Sequence, residues 1–255
     1  MNAEVVAAQV ALLTQELKMP GLRTHFAEIA REARGTGESH EAYLIACLGA
    51  EIESRREHRL KDRLKQARFP HRKTLEEFDF TLVPSVSREL VLSLAAAEFV
   101  KDKENVILLG ASGTGKTHLA EALGLATVYA GCRVRFTLAV TLAQELLLAQ
   151  DEHRLPRYLK AWQKVDLVIV DELGYLGLGP GGPLLFQFFA ERYESGSVIV
   201  TSNLEFSRWS EVFGDPVLTA ALLDRLTHHS HILVFEGESY RFRESKKRRD
   251  QPVTQ

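Results

Sequence analysis

Two cysteines in 255 residues, Cys47 and Cys132, are too few and too isolated for a disulfide framework or a thiolate zinc site. No apolar run approaches the roughly 20 residues that a membrane-spanning helix needs. The first residues lack a basic segment and a cleavage site, so secretion is not expected and the chain reads as cytoplasmic. Internal repeats and low-complexity tracts are missing as well. A net charge of −2 excludes a generic polycation. What remains is ordinary globular composition, 45% apolar and 26% charged, in a chain long enough for one large core plus a small accessory domain.

The charge is unevenly spread. Arg55, Arg56, Arg59, Lys61, Arg63, Lys65, Arg68, Arg72 and Lys73 fall in one stretch with only Glu57 and Asp62 beside them. That segment carries +7, which leaves −9 on the rest of the chain. A short basic block on an acidic protein points to a localised anionic partner, and phosphate contacts by a helix face on nucleic acid are the expectation. Nothing in the block suggests base-specific readout.

The periodicity divides the chain. Leu22, Phe26, Ile29 and Ala33 form one apolar helical stripe. Gly35-Thr36-Gly37 breaks that helix, and Glu38-Ser39 offers a cap for the next. Tyr43, Leu44, Cys47, Leu48 and Ile52 make a second stripe, which continues through Leu60 and Leu64 until Pro70. Residues 1–75 therefore read as a small all-helical domain. From 76 to 245 the pattern is strand–helix alternation, with strands expected at 105–109, 133–137, 166–170, 197–202 and 231–235. Helices are expected notably at 116–130, 140–150 and 216–227. Continuously apolar strands of this kind indicate an α/β fold with a parallel sheet covered on both faces. Residues 246–255, opening on Lys246-Lys247-Arg248-Arg249, read as a basic disordered tail.

The most specific feature is the stretch Gly110, Ala111, Ser112, Gly113, Thr114, Gly115, Lys116, Thr117, which fits G-x-x-x-x-G-K-[ST] directly after an apolar strand. The glycines let backbone N–H groups turn inward around a phosphate chain, and the next helix points its positive end at the same anion. Lys116 supplies a charge for the β- and γ-phosphates, and the Thr117 hydroxyl a ligand for Mg²⁺. Asp171 and Glu172 end a strongly apolar strand, where one carboxylate is expected to hold Mg²⁺ and the other to orient and deprotonate the attacking water. Asn203, past Thr201-Ser202, is placed to hydrogen-bond the γ-phosphate and that water. Arg225 sits on an amphipathic helix, from which it could reach the γ-phosphate of a neighbouring subunit; a local ion pair with Asp224 or Glu211 is the plainer alternative. His228, His229 and His231 have metal-like spacing but no evident further ligand, so they read as surface or packing residues.

Four stretches in order, GASGTGKT, LVIVDELGYL (167–176), VIVTSNLEFSRW (198–209) and FGD followed by LLDRL (213–226), together with Phe78-Asp79-Phe80, resemble the IstB-like ATPases. These are transposition helpers encoded beside a transposase, relatives of the DnaC helicase loaders in the AAA+ class. The likeness covers nearly the whole chain. It implies a P-loop AAA+ core with a five-stranded sheet in the order 5-1-4-3-2, ATP as nucleotide and ATP-dependent self-assembly on duplex DNA. It also implies stimulation of a partner transposase. Walker A maps to 110–117, Walker B to Asp171 and Glu172, sensor 1 to Asn203 and the arginine finger to Arg225. Too few residues follow the last strand for a helical lid, so Arg241 is the one candidate for a second sensor. A replicative helicase loader and a DNA-architectural module with ATP as a binding switch are the alternatives.

Overall fold

The computed structural model describes residues 2–175, 177–237, 239 and 240; Arg241 and the tail 246–255 lie outside them. The chain divides into two compact units, 1–62 and 63–255, and the division falls inside one long helix.

The first unit is helical. It holds α1 (Ala3–Glu16), α2 (Pro20–Thr36) and most of α3 (His40–Ala67). Pro20 opens α2 at a position where no backbone donor is needed, and Gly37 closes it at φ 69. Ser39 caps α3 by accepting from the Ala42 N–H at 3.2 Å. The α2–α3 contact is close at Gly21, where a Cβ would stand 2.7 Å from the Ala50 carbonyl. Buried Glu51 ties the pair by accepting from the Leu22 N–H and from Arg55 Nε. Burial pushes that carboxyl up, but the Arg55 hydrogen bond and the backbone donors outweigh it and hold it below the usual range. The second expected stripe is only partly covered. Cys47 is buried, whereas Leu44, Leu48 and Ile52 are exposed.

The second unit contains α4 (Arg88–Ala95), α5 (Glu98–Lys101), β1 (Asn105–Gly110), α6 (Lys116–Tyr129), β2 (Val134–Leu138), α7 (Ala139–Asp151) and α8 (Leu155–Trp162). It continues with β3 (Leu167–Leu173), α9 (Gly182–Arg192), β4 (Ser197–Ser202), α10 (Ser210–Phe213), α11 (Pro216–His228) and β5 (Ser230–Phe235). All strand pairs are parallel, in the order β2-β3-β4-β1-β5, which is the expected 5-1-4-3-2 read from the other edge. The central strands β1, β3 and β4 are buried on both faces, whereas the edge strands β2 and β5 carry Arg135, Thr137 and His231 and leave Ile232 and Val234 exposed. Ile107, Val168, Val170, Val198 and Val200 face the core shared by α7, α9 and α11. The intervening residues face α6, as shown by Ile169, whose Cδ1 lies 2.5 Å from where a Gly124 Cβ would stand.

Two buried polar side chains fix the N-terminal edge of this sheet. Asn105 accepts from the Val198 N–H at 3.0 Å and donates to the Leu226 carbonyl at 3.2 Å, so it joins β1, β4 and α11. Arg192 donates to the carbonyls of Trp162, Val165, Asp166 and Ser197 at 3.0–3.3 Å. Burial drives its guanidinium down to about 10. Arg192 ties the end of α8 and the entry to β3 to the start of β4, adding a second donor to the Trp162 and Asp166 carbonyls, which already accept backbone N–H groups.

Candidate nucleotide site

The central strand β1 runs straight into the glycine-rich turn. Gly110, Gly113 and Gly115 hold φ values of 147°, 81° and 104°, all in the region that side chains disfavour. Helix α6 then starts at Lys116 with its first N–H groups turned back towards the loop. Lys116 is 8% exposed, and its Nζ donates to the carbonyls of Gly110 and Ala111, each at 2.7 Å. Its ammonium is thus held against the loop, where a triphosphate would compete with two carbonyls for its protons. Thr114 braces the turn by donating to the Ala111 carbonyl at 2.8 Å, while Ala111 and Ser112 stand exposed at the rim. Two further segments clasp the loop. Phe78 packs against Gly115 and edge-on to His118, and the Tyr240 N–H donates to the Gly113 carbonyl at 2.9 Å.

The carboxylates stand on the neighbouring strands' side of this loop. Asp171 is 2% exposed and accepts from Thr117 Oγ1 at 3.0 Å and from Thr201 Oγ1. The same Thr201 hydroxyl accepts from the Glu172 N–H at 3.0 Å. Between Val170 and Leu173 the β3–β4 register slips, because Val170 pairs with Val200 and Leu173 with Ser202. One extra residue is therefore accommodated in β3, and Glu172 takes it up at φ 61. A left-handed non-glycine residue costs about 1–2 kcal/mol, and it persists here because ladder bonds hold both sides. The consequence is directional. Asp171 faces α6 and is buried, whereas Glu172 is turned out to solvent beside it. Asn203 is exposed one residue beyond β4, next to Gly174.

Burial pushes the Asp171 carboxyl above its ordinary value, and the Thr201 and Thr117 hydroxyls, the Glu172 N–H and the Lys116 charge only partly offset this. The hydroxyl and the buried carboxylate are hard oxygen donors that suit Mg²⁺, which keeps most of its waters and needs few protein ligands. Among the described residues no group of three or more His, Cys, Asp or Glu is arranged to hold a metal ion. A carboxyl with a raised folded pKa contributes stability at low pH that is lost as pH rises through that value. Asp171→Asn is therefore expected to melt higher than the parent at pH 7 without nucleotide, by roughly 2–4 °C for each kcal/mol relieved. The gap should close as pH falls towards 4. Calorimetry at the two pH values checks this; a lower melting temperature for the variant at pH 7 would mean that the carboxylate is a net stabiliser.

Arg225 is exposed on α11, and Glu211 is already engaged by Arg208 at 2.9 Å. Among the described residues Arg225 has no ion pair. Its position is informative, because the adjacent Leu226 carbonyl is bonded to Asn105 at the start of β1. The P-loop leaves the other end of that strand, on the order of 15 Å away at 3.3 Å per residue. The backbone at Arg225 thus lies by the end of β1 opposite to its own phosphate loop.

The basic residues differ in availability. Arg55 is committed to Glu51 at 2.6 Å and to the Lys18 carbonyl at 3.0 Å. Arg56 and Lys61 make exposed pairs with Glu53 and Glu57 at 3.6 and 3.8 Å, contacts too weak to neutralise them. Arg59, Lys65, Arg68, Arg72 and Lys73 are exposed, and Arg63 is half-buried. The histidines do not converge on a metal. His231 contacts Glu104 at 2.8 Å, and His228 packs edge-on against His229. Sequence reasoning missed Thr201, since an apolar strand's final threonine gives no sign that its hydroxyl touches a carboxylate on the next strand.

A family model described as IstB-like ATP binding protein matches residues 12–248. The chain belongs to this family. A protein of insertion sequence IS21 from Pseudomonas aeruginosa, named for ATP binding, is 43% identical over 240 residues, covering 94% of this chain and 91% of that protein. A counterpart from insertion sequence IS5376 of Geobacillus stearothermophilus is 38% identical, covering 90% and 92%. Among solved structures, AMPPCP-bound DnaA from Aquifex aeolicus superposes with a TM-score of 0.56 at 20% identity, covering 73% of this chain and 57% of that one. This likeness shows a shared AAA+ fold. As an IstB-like protein, the chain belongs to a family described by ATP binding, and its glycine-rich turn lies within the matched residues. No helix among the described residues is long and apolar enough to cross a membrane.

Proposed function

We propose that this IstB-like protein is a Mg²⁺-dependent ATPase that assembles on duplex DNA when ATP is bound, recruits a partner transposase, and disassembles on hydrolysis. The observation that carries the reading is the cluster of Thr117, Asp171 and Thr201 beneath the glycine loop, with the bulge that turns Glu172 out beside it. Thr117 and Asp171 would hold Mg²⁺, which when bound neutralises charge on the β- and γ-phosphates. Main-chain N–H groups from 111 to 117 and the Lys116 ammonium bind the triphosphate. Glu172 accepts the proton of the water that attacks the γ-phosphorus. The bond to the bridging oxygen breaks, and its electron pair leaves with ADP. Asn203 orients that water.

The placement of Arg225 favours action on a second copy. Its guanidinium would stabilise charge on the neighbour's γ-phosphate, so ATP would bridge two protomers and favour the assembled state. The helical residues 1–75 and the basic stretch within them would supply DNA and partner contacts, with 76–245 as the ATPase domain. Imaging and light scattering with linear duplex DNA test the proposal. Ordered assemblies are expected with a non-hydrolysable ATP analogue and not with ADP, and on duplex in preference to single strands. Assembly that ignores the nucleotide would sink the switch, and a preference for single strands would favour the loader alternative.

A further inference from the structure

Beyond the nucleotide loop, the second unit contains a cavity of about 210 Å³ on the sheet's edge strand, lined by Arg68, Arg135, Thr137, Thr141 and Glu145. Two guanidinium groups converge there. Arg135 projects from β2 and is half-buried, with its guanidinium 4.5 Å from the centre of the Trp162 ring. Arg68 follows the last residue of α3 at φ 56, a left-handed turn that places it at the exposed rim. Among the described residues neither guanidinium has a carboxylate within ion-pair distance. Among the described lining residues the one acid is Glu145, which accepts the hydroxyl of Tyr158, and burial and this hydrogen bond push that hydroxyl up to about 12. Burial, together with repulsion from Arg68, lowers the Arg135 guanidinium below its ordinary value. Two cations facing one engaged carboxylate leave the cavity short of negative charge.

The surroundings suit an anion on a polymer better than a free one. The helix start beside the cavity, α7, has no side-chain cap on its first N–H groups. Exposed Arg72 and Lys73 follow Arg68 in the chain, and exposed Arg157, Lys160 and Lys164 lie on or just after α8, whereas Arg154 is paired with Glu152. That helix packs against the cavity wall through Tyr158 and Trp162. A pocket with room for one phosphate between two guanidinium groups, on a unit with further exposed cations near it in sequence, suits a nucleic-acid backbone. We propose that Arg68 and Arg135 form a seat for one backbone phosphate of duplex DNA, with Trp162 fixing the plane of the inner guanidinium. This rests on the duplex-binding reading above and deepens it, since it places one DNA contact on the ATPase unit.

The test uses the full chain, a fluorescently labelled linear duplex and a non-hydrolysable ATP analogue, with anisotropy measured over a salt series. Arg68→Gln and Arg135→Gln are each expected to weaken binding several-fold on any sequence, and the double variant to reduce the log–log salt slope by about one. Nucleotide affinity without DNA should be unchanged in both. Arg135→Lys keeps the charge and should keep the slope, which separates loss of the phosphate contact from loss of packing on Trp162. Unchanged affinity and slope in the double variant, with the parent binding duplex normally, overturns the seat and leaves the functional reading intact. Thermal stabilisation of the parent by inorganic phosphate, lost in the double variant while DNA binding is untouched, also overturns it in favour of a small-anion pocket. A parent that does not bind duplex at all defeats the functional reading itself, and this inference falls with it.

Discussion

Glu172→Gln is expected to bind ATP as the parent does and to hydrolyse it roughly 10²–10⁴-fold more slowly, the range for loss of a positioned general base. The argument is geometric. The bulge in β3 buries Asp171 against Thr117 and leaves Glu172 exposed beside it, so the two carboxylates have different work. Glutamine has the same shape and can still hydrogen-bond a water, but it cannot take the water's proton. If hydrolysis ends the assembled state, this variant should accumulate on DNA in the presence of ATP and resist removal by competitor duplex. Single-turnover phosphate release and a competitor-chase gel measure the two effects. Ordinary turnover would show that another group takes the proton. Slow turnover with normal release from DNA would leave the site intact but remove hydrolysis as the release step.

Arg225→Ala carries the larger expected loss, since an arginine supplied to a phosphoryl-transfer site in this manner contributes about 10³–10⁵ in rate. Its effect should be confined to the assembled protein. The turn of α11 that carries it is anchored at the end of β1 away from its own P-loop, so ATP affinity of an isolated protomer should not change. Steady-state hydrolysis on duplex DNA beside nucleotide affinity without DNA makes the comparison. A variant that assembles and turns over normally would reduce Arg225 to a surface cation.

The central strands were readable because each contains an unbroken run of buried apolar residues. Val106, Ile107 and Leu108 are wholly buried, as are Val168, Ile169 and Val170. That is the signature of a parallel strand covered twice. The phosphate loop was readable because glycine, lysine and threonine at fixed spacing have few other uses. The bulge was not, since Val-Asp-Glu-Leu gives no local sign of a register slip against β4. Strand β3 was consequently expected to stop at 170, and it runs to Leu173. Arg192 and Asn105 were invisible for a related reason. Their partners are backbone carbonyls and amides at distant positions, and only the fold brings these together. Arg68 appeared as one cation in a run, but nothing in the sequence joins it to Arg135 on a strand more than sixty residues away.

In α3 the difference has another cause. Leu44, Leu48 and Ile52 repeat with helical period, yet they remain exposed within the first unit. Periodicity marks the side of a helix that can be covered and does not say that the same chain covers it.

A site shared between two copies of this chain makes a demand that no single-protomer site can satisfy. Mixing Lys116→Ala, which lacks the phosphate-binding cation, with Arg225→Ala, which lacks the donated arginine, should restore ATP hydrolysis on DNA. At equal amounts, about a quarter of head-to-tail contacts would pair an intact loop with an intact arginine, and activity should approach that fraction. Two inactive proteins that stay inactive when mixed, despite co-assembling, would contradict the account.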